Sequence, residues 1–442
     1  MASPWFALPP KPIGDGPDYE NIAFHVWQGA GFVIDSTNPQ WQAIYRDSPS
    51  DYAVHLNSPR NLPTTGRPPL FPLIVAGIYG LVGRDASGFA AVRLFSATCL
   101  AVSGAIAVYL VAWLWTHQPL GTWIAKGNYP RWWPLLAGCG GCLGLWAINR
   151  TLREYATDFL TEPLALLWMQ LFLCLAICWG SPGHMPGKPS VHPDDWIHRG
   201  TWWRMVALGS LWGLLILTRS MFVVWLPAVW LLCWLGVDLP RKKRLVWASG
   251  VVLVACCVCG PWWVRNCLVL NRWMPLGTQG ATTLLGGYSD AARRGNGDWQ
   301  AEPELALRAE LAAREDFRRL PDDTARELVV AREASSRVRR WISEHRGDLP
   351  SLIAKRVYVH WNPYSGASLL WKLPLLVGGF GLLLARTPAA LWLLGLPLTS
   401  TLVVAAFYST GGRFLVPLYG DLFTVAGLGI AWSVAWLARR TS

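Results

Sequence analysis

The sequence predicts an all-α membrane protein with about nine spans, interfacial helices and a small helical domain outside the bilayer. Hydrophobic residues make up 52% of the 442-residue chain and charged residues only 15%, whereas a soluble protein carries about 25% charged residues. The 29 tryptophans are typical of the boundary between membrane and water, where the indole ring is buried and its N–H is hydrated. Long apolar stretches recur along most of the chain.

Each long apolar stretch predicts one membrane-spanning helix. The first apolar stretch, residues 70–83, is short for a crossing, and we expect it to lie in the outer interface or to re-enter the membrane. The later stretches are separated by polar connections and predict spans at 89–115, 132–148, 163–179, 203–217, 221–237, 245–264, 371–385, 389–407 and 415–437.

Clusters of Lys and Arg beside these stretches predict the orientation of the chain. Residues 241–244, 386 and 439–440 are basic and should be cytoplasmic by the positive-inside rule. The net charge of +12 is therefore read as an orientation signal, so membrane lipids are predicted partners and nucleic acid is not. Successive spans cross the membrane in opposite directions, so the side of each connection can be counted back from the C-terminus. The segments predicted outside the (inner) cell membrane are 1–88, 149–162, 218–220, 265–370 and 408–414.

These patterns divide the chain into four parts. The third part is the one long hydrophilic segment, and its interleaved acidic and basic residues are typical of solvated helices with i,i+4 pairs. The parts are a first extracytoplasmic loop with an interfacial helix (1–66), the first part of a transmembrane bundle (67–264), an extracytoplasmic and mainly helical domain (265–370), and the C-terminal helices of the bundle (371–442).

Two carboxylates lie three residues apart near the start of the chain, at Asp15 and Asp18. The Gly-Pro pair between them is typical of a turn. An apolar stripe at helical spacing follows, so Asp18 is expected to be the N-cap of a short surface helix that ends near Trp27. A capped helix beside a membrane is the structural interpretation, and a catalytic role is the functional one.

Arginines at the predicted outer ends of the spans oppose the positive-inside bias and need another explanation. An arginine at the boundary of the hydrocarbon usually has an anionic partner, which here is a nearby carboxylate or a phosphate. The sequence leaves both interpretations open: interface anchors and salt bridges, or a pocket that binds phosphate. The candidate binding residues are Arg67, Glu162, Arg219, Arg265, Asn266 and Arg413.

The same segments resemble, in order, the signatures of GT-C glycosyltransferases. The most similar branch is the bacterial group that resembles protein O-mannosyltransferases and the lipid A aminoarabinose transferase. The resemblance extends from about residue 12 to residue 417 and rests on the order of the motifs. The matching segments are Asp15-x-x-Asp-Tyr, Arg67-Pro-Pro-Leu, Thr161-Glu-Pro, Leu217-Thr-Arg, Pro261-Trp-x-x-Arg-Asn and Arg413-Phe-x-x-Pro.

The resemblance implies a GT-C-like bundle that transfers a hexose or pentose from a polyprenyl-phosphate donor to a lipid, glycan or protein acceptor outside the membrane. The first outer loop of the family supplies the catalytic acid, which corresponds here to Asp15 or Asp18, and Arg67 matches a basic position before Pro-Pro. Relatives have a spanning helix before this loop, so we expect a start codon called too late or a truncation. No cofactor and no tightly held metal are predicted, although the two aspartates together could hold a divalent ion.

The residue types suit this chemistry. A carboxylate can take the proton of an acceptor hydroxyl as it attacks the anomeric carbon, and guanidinium groups can stabilise the departing phosphate. Backbone N–H groups hold down the pKa of a capping carboxylate and make it a poor base. We therefore predict Asp15 as the general base and Asp18 as the cap.

Two other functional classes remain open: a transporter or flippase of a lipid-linked sugar, and an inactive membrane scaffold. Transporters place ionisable residues near the middle of the membrane, on broken helices. The predicted spans contain few ionisable residues, with Asp421 as the main exception, so the sequence favours the transferase.

Overall fold

The chain is helical almost throughout the part that a computed structural model describes, which is residues 7–10, 14–45, 62–117, 132–179, 201–237, 239–362 and 368–441. A two-stranded antiparallel ribbon joins β1 (Val33–Ile34) to β2 (Leu62–Pro63), with Val33 opposite Pro63. Within these ranges the architecture agrees with the all-α class predicted from the sequence.

The described residues form α-helices along most of their length. In chain order they are α1 (Gly16–Trp27), α2 (Pro39–Gln42), α3 (Leu70–Val82), α4 (Ala86–His117), α5 (Trp132–Ile148), α6 (Arg150–Ala156), α7 (Glu162–Trp179), α8 (Thr201–Thr218), α9 (Leu226–Gly236), α10 (Arg241–Leu270), α11 (Gln279–Gly287), α12 (Asp290–Arg294), α13 (Glu302–Ala313), α14 (Glu315–Arg318), α15 (Asp323–Glu344), α16 (Leu349–Trp361), α17 (Ser368–Leu384), α18 (Pro388–Ala406) and α19 (Tyr419–Thr441). Single 3-10 turns lie at Ala43–Tyr45, Ser220–Val223, Arg346–Asp348 and Arg413–Leu418.

Four helices in the described residues are long and apolar enough to cross a membrane. They are α4, α10, α18 and the combined segment Arg413–Arg440. Shorter apolar helices are α3, α5, α7, α8, α9 and α17. The multi-pass membrane class is therefore supported, and the number of about nine spans stays a prediction.

Two predicted spans begin later than the hydropathy pattern indicates. The α-helical part of the span at 221–237 begins only at Leu226, and that of the span at 415–437 begins at Tyr419. A 3-10 turn precedes each of them. Proline is the physical reason, because it lies in the first turn of α9 and inside the 3-10 turn before α19, where its missing N–H and fixed φ favour a helix start.

Helix α19 lies at the centre of the bundle and packs against α4, α5 and α17. Its backbone approaches α17 so closely that a Cβ at Gly378 would collide with the carbonyl oxygen of Val425. Small residues at such crossings allow the close packing that drives helix association in membranes. The centre of α19 is thus enclosed by other helices.

The hydrophilic domain (residues 279–361, α11 to α16) has a small core of its own. Helices α11, α13 and α15 pack together, and they bury Leu285, Leu307, Leu311, Val330, Ala334 and Val338. The domain lies between α10 and α17 in the chain. The predicted limits of this domain, residues 265–370, stay a prediction. Helix α10 runs on to Leu270, past the predicted first residue.

Candidate functional site

The start of α1 presents both acidic residues of the first loop. The helix begins at Gly16, so Asp15 occupies the N-cap position and the predicted cap at Asp18 is wrong. Proline fits the first turn of a helix, so Pro17 lets α1 begin before Asp18 instead of forming a separate turn. The Asp15 carboxylate makes no side-chain capping hydrogen bond, which leaves it available for partners elsewhere.

Arg67 joins the two carboxylates. Its Nη2 atom lies 2.8 Å from Asp15 Oδ1 and 2.6 Å from Asp18 Oδ2, and its Nε atom donates to Asp18 Oδ2 over 3.1 Å. The packing of α1 against α3 brings these segments together. At the contact, the rings of Tyr19 and Phe71 meet edge to face at 5.6 Å, and the Arg67 guanidinium lies over the Tyr19 ring.

Arg413 joins Asp15 to a third carboxylate, Glu162. Its Nη1 atom donates to Asp15 Oδ2 over 2.8 Å, and its Nε atom donates to Glu162 Oε1. Arg413 follows Gly411 and Gly412, whose φ angles of +58° and +81° lie in the left-handed region that favours glycine. The Gly-Gly pair therefore turns the chain so that Arg413 enters the site.

Glu162 begins α7 and is fully buried. Its Oε1 atom accepts from Arg219 as well as from Arg413, and Arg219 Nη1 also lies 3.4 Å from Thr161 Oγ1. Arg219 reaches this point because α8 ends at Thr218 and the backbone of Arg219 is extended. Within the described part of the chain, Glu162 Oε2 and Arg413 Nη2 have no hydrogen-bond partner.

These six residues form one alternating chain of charges, which we call the ion-pair network: Asp18, Arg67, Asp15, Arg413, Glu162 and Arg219. Three carboxylates face three guanidinium groups, so the network is formally neutral. It joins residues that are 49 to 398 positions apart in the sequence. All six were predicted as site residues, and the tertiary fold brings them together.

The network determines the charge state of Asp15. Burial raises the pKa of this carboxyl, but Arg67 and Arg413 outweigh burial and hold the pKa well below its usual range. Burial lowers the pKa of Arg67, and the charges of Asp15 and Asp18 raise it above its usual value. With these partners Asp15 is ionised but only weakly basic.

Two predicted site residues lie outside the network. Arg265 donates to the carbonyl oxygens of Thr64 and Phe32, at 2.6 and 3.2 Å, and its guanidinium stacks over Trp262. The buried Asn266 donates to the carbonyl oxygen of Pro275 over 2.9 Å. Arg265 therefore holds the ends of the β-ribbon against α10, and among the described residues none of its hydrogen bonds goes to a member of the network.

A small pocket opens beside Arg67. Apolar side chains from the end of α8 and from α10, including Ile216, Leu217, Trp262 and Trp263, form much of its wall. Residues 65–68 and Ser220 also line it. The pocket thus places an apolar surface next to one guanidinium group of the network.

Three tyrosines near the network were not predicted from the sequence. Burial raises the pKa of Tyr19, Tyr155 and Tyr408, and charges of the network act on all three phenols. Tyr155 lies in the polar segment 149–162 that the sequence placed outside, and Tyr408 lies in the segment before Arg413. The sequence signal that could have identified these tyrosines is that they lie in the same segments as predicted site residues.

Arg67 forms ion pairs with both aspartates of the first loop. Among the residues described by the structure, no group of three His, Cys, Asp or Glu side chains could hold a metal ion. A divalent ion between Asp15 and Asp18 would have to displace the Arg67 guanidinium, which lies within 2.8 Å of both carboxylates. In this structure the Arg67 guanidinium occupies the position between the two carboxylates.

The chain is similar to solved structures of two membrane glycosyltransferases of the GT-C type, the group that the sequence resembles. One is the archaeal oligosaccharyltransferase AglB from Archaeoglobus fulgidus, in complex with an inhibitory peptide and a dolichol-phosphate (TM-score 0.48, 12% identity, 98% of this chain and 46% of that chain). Another is ArnT from Cupriavidus metallidurans bound to undecaprenyl phosphate (TM-score 0.45, 14% identity, 98% of this chain and 60% of that chain).

This chain therefore spans about half the length of the solved proteins that it resembles. No protein-family model and no curated protein matches the sequence. At these identities and TM-scores the likeness by itself decides neither an activity nor a substrate.

Proposed function

We propose that this chain is an integral-membrane glycosyltransferase that moves a sugar from a polyprenyl-phosphate donor to an acceptor outside the membrane. The ion-pair network is the observation that carries the proposal. Three guanidinium groups and three carboxylates converge in one site, and an apolar pocket adjoins it. Such a site can bind a lipid-linked phosphate and supply a base beside it.

The arginines are proposed to bind the phosphate of the donor. Arg413 Nη2 has no partner within the described residues, so it can donate to a phosphate oxygen without losing a bond. Guanidinium groups bind phosphate with paired, charge-assisted hydrogen bonds, and Arg219 and Arg67 lie on either side of Arg413 in the network. We place the start of the lipid against the apolar side chains of Trp262 and Trp263, beside Arg67.

Donor binding would also activate Asp15. When Arg413 turns part of its charge towards a phosphate, Asp15 loses part of the interaction that holds its pKa down. Asp15 then takes the proton of the acceptor O–H while the acceptor oxygen bonds to the anomeric carbon. The bond from that carbon to the phosphate oxygen breaks, and polyprenyl phosphate leaves with the electron pair through an oxocarbenium-like transition state.

A transfer assay with a polyprenyl-phosphate-linked sugar tests this assignment. Asp15→Asn should lower the turnover by about 10²–10⁴-fold, because the base is lost, while the variant still binds the donor. Asp18→Asn should cost less, since Arg67 keeps its contact with Asp15. An active Asp15→Asn with an inactive Asp18→Asn would reverse the two roles, and two active variants would show that this loop is not the catalytic site.

The outer-face position of the site is part of the proposal and needs its own test. The Lys and Arg clusters predict that residues 241–244 are cytoplasmic and that the hydrophilic domain is extracytoplasmic. Reporter fusions at Leu239 and Ala313 should therefore report opposite sides of the membrane. Reporters on the same side would contradict the proposed orientation.

A transporter or flippase of a lipid-linked sugar is the second candidate, and one observation favours it. Asp421 in α19 and Gln170 in α7 are fully buried in the bundle, and their side-chain polar atoms have no partner within the described residues. Unpaired polar groups inside a membrane often mark a transport path. Movement of a labelled lipid-linked sugar across proteoliposomes, lost in Asp421→Asn and kept in Asp15→Asn, would favour the transporter.

A further inference from the structure

The hydrophilic domain holds the segment of chain that leads into Arg413. Residues 405–412 run from the end of α18 to Arg413, and their main chain pairs with the domain at several points. Trp299 N donates to the carbonyl oxygen of Ser409 over 2.7 Å, and Gly411 N donates to Asp298 Oδ1 over 2.9 Å. A single parallel bridge joins Asp298 to Ser409, so the segment lies alongside residues 298–299.

Arg356 strengthens the same contact from the other end of the segment. Its Nη1 atom donates to the carbonyl oxygen of Ala405 over 3.3 Å, and its Nη2 atom donates to that of Gly287 over 2.8 Å. The guanidinium is fully buried and lies over the Tyr288 ring, whose hydroxyl donates to the carbonyl oxygen of Ala406. Separating the two parts would leave a buried charge with fewer partners, which is costly.

The backbones approach each other where α11 ends. A Cβ at Gly287 would lie 2.7 Å from the Cβ of Tyr408, which is too close for any larger residue without movement. The backbone of Gly287 is therefore packed closely against residues 407–408. A shift of α11 or of the 298–299 segment would be transmitted to residues 405–412.

Asp298 contacts residues 405–412 at the Gly-Gly pair, where the backbone can adopt the most conformations. Gly411 and Gly412 have many accessible conformations, and both adopt left-handed angles before Arg413. The nearly buried Asp298 carboxylate bonds the main-chain N–H of the first of these glycines. A bond two residues before Arg413 restricts the turn that directs its side chain.

We propose that the hydrophilic domain positions Arg413 for the donor phosphate, with Asp298 as the positioning residue; the phosphate part rests on the proposed function. Asp298 does not contact the substrate in this proposal. It determines the conformation of residues 405–412, and through them the distance from Arg413 to Asp15 and Glu162.

Hydrogen–deuterium exchange of the full chain in detergent tests the positioning independently of any activity. Asp298→Ala removes the acceptor for Gly411 N, so peptides covering 405–413 should exchange about tenfold faster than in the wild type. Asp298→Asn keeps an acceptor oxygen and should retain most of the protection. Asp316→Ala, which changes an exposed acid of the same domain paired with Arg314, is the matched control and should leave these peptides unchanged.

A double-mutant cycle then tests the connection to Arg413. The dissociation constant of farnesyl phosphate, a short polyprenyl phosphate, should rise about tenfold in Asp298→Ala. In an Arg413→Ala background the same substitution should cause no further rise, so the double variant should bind as Arg413→Ala alone does. Unchanged exchange in Asp298→Ala, equal damage by Asp298→Asn, or additive effects of the two alanine variants would overturn the proposal. If the wild type binds no polyprenyl phosphate, the proposed function fails, while the exchange experiment still decides whether Asp298 positions the segment.

Discussion

Two regions of this molecule use the same residue types in opposite ways. In the charged helices α13 to α15, several arginines pair with carboxylates two to four positions away. Some of these pairs lie at the surface: the side chains of Arg319 and Glu315 are 76% and 69% exposed. In the ion-pair network, the partners come from distant segments, and Glu162 is 0% exposed. One region is a solvated surface, and the other is a buried site.

The difference shows which charges require an explanation. An exposed ion pair contributes little, because water and salt screen it and two long side chains must be ordered. A buried pair gives up hydration, and replacement by apolar residues often leaves a protein as stable or more so. A network of six charges is therefore weak evidence for stability alone. The proposed binding of a charged substrate gives a separate reason for it.

The largest expected difference between the ion-pair network and the exposed pairs is in how much they contribute to stability. Glu162→Gln leaves Arg219 and Arg413 without their shared negative charge and should lower the free energy of unfolding by about 3–5 kcal/mol, as measured for broken buried pairs. Glu315→Gln breaks an exposed pair and should change it little. Denaturant unfolding of the two variants in the same detergent measures the contrast, and similar losses would show that burial is not what distinguishes the two regions.

The second difference is in donor binding. Arg413→Lys keeps the charge but loses the planar arrangement of donors, so the affinity for a polyprenyl phosphate should fall by about 1.5–3 kcal/mol, roughly 10- to 100-fold. Arg219→Lys should act in the same direction. Arg265→Lys, outside the network, and Arg319→Lys, on the surface, should bind the donor nearly as the wild type does. Wild-type affinity in both network variants would contradict the phosphate role.

A smaller effect is expected in the pH dependence of stability and of transfer. The pKa of Asp15 in the folded protein is held below its unfolded value, so its contribution to stability is present above the unfolded pKa and is lost as the pH falls through the folded pKa. Arg67→Gln removes one of the two neighbouring charges and should raise the pKa of Asp15 by about one unit.

The acidic limb of transfer and of stability should therefore move to higher pH in Arg67→Gln. Glu315→Gln is the control, because it changes one charge of the exposed region only. Profiles of turnover and of unfolding temperature between strongly acidic and neutral pH measure the shift. An acidic limb at the wild-type position would show that Asp15 does not determine it.

The sequence by itself determined the membrane class and the candidates. Apolar stretches and charge clusters are local patterns, since one span or one connection contains all the information needed to recognise it. Local patterns also identified all six members of the ion-pair network as candidates, because each lies in a polar segment next to an apolar one. The i,i+4 pairs of α13 to α15 were recognisable for the same reason.

Only the tertiary structure decided which of these residues act together. The pair of Asp15 and Arg413 joins positions 398 residues apart, and no local pattern specifies such a contact. The start of α1 at Gly16 left the carboxylate of Asp15 without a capping bond, and the β-ribbon engaged Arg265. The bond from the main-chain N–H of Gly411 to the carboxylate of Asp298 also joins positions that lie 113 residues apart. Such contacts arise from packing, because hydrogen bonds and ion pairs form between groups that the whole fold has already brought within about 3 Å.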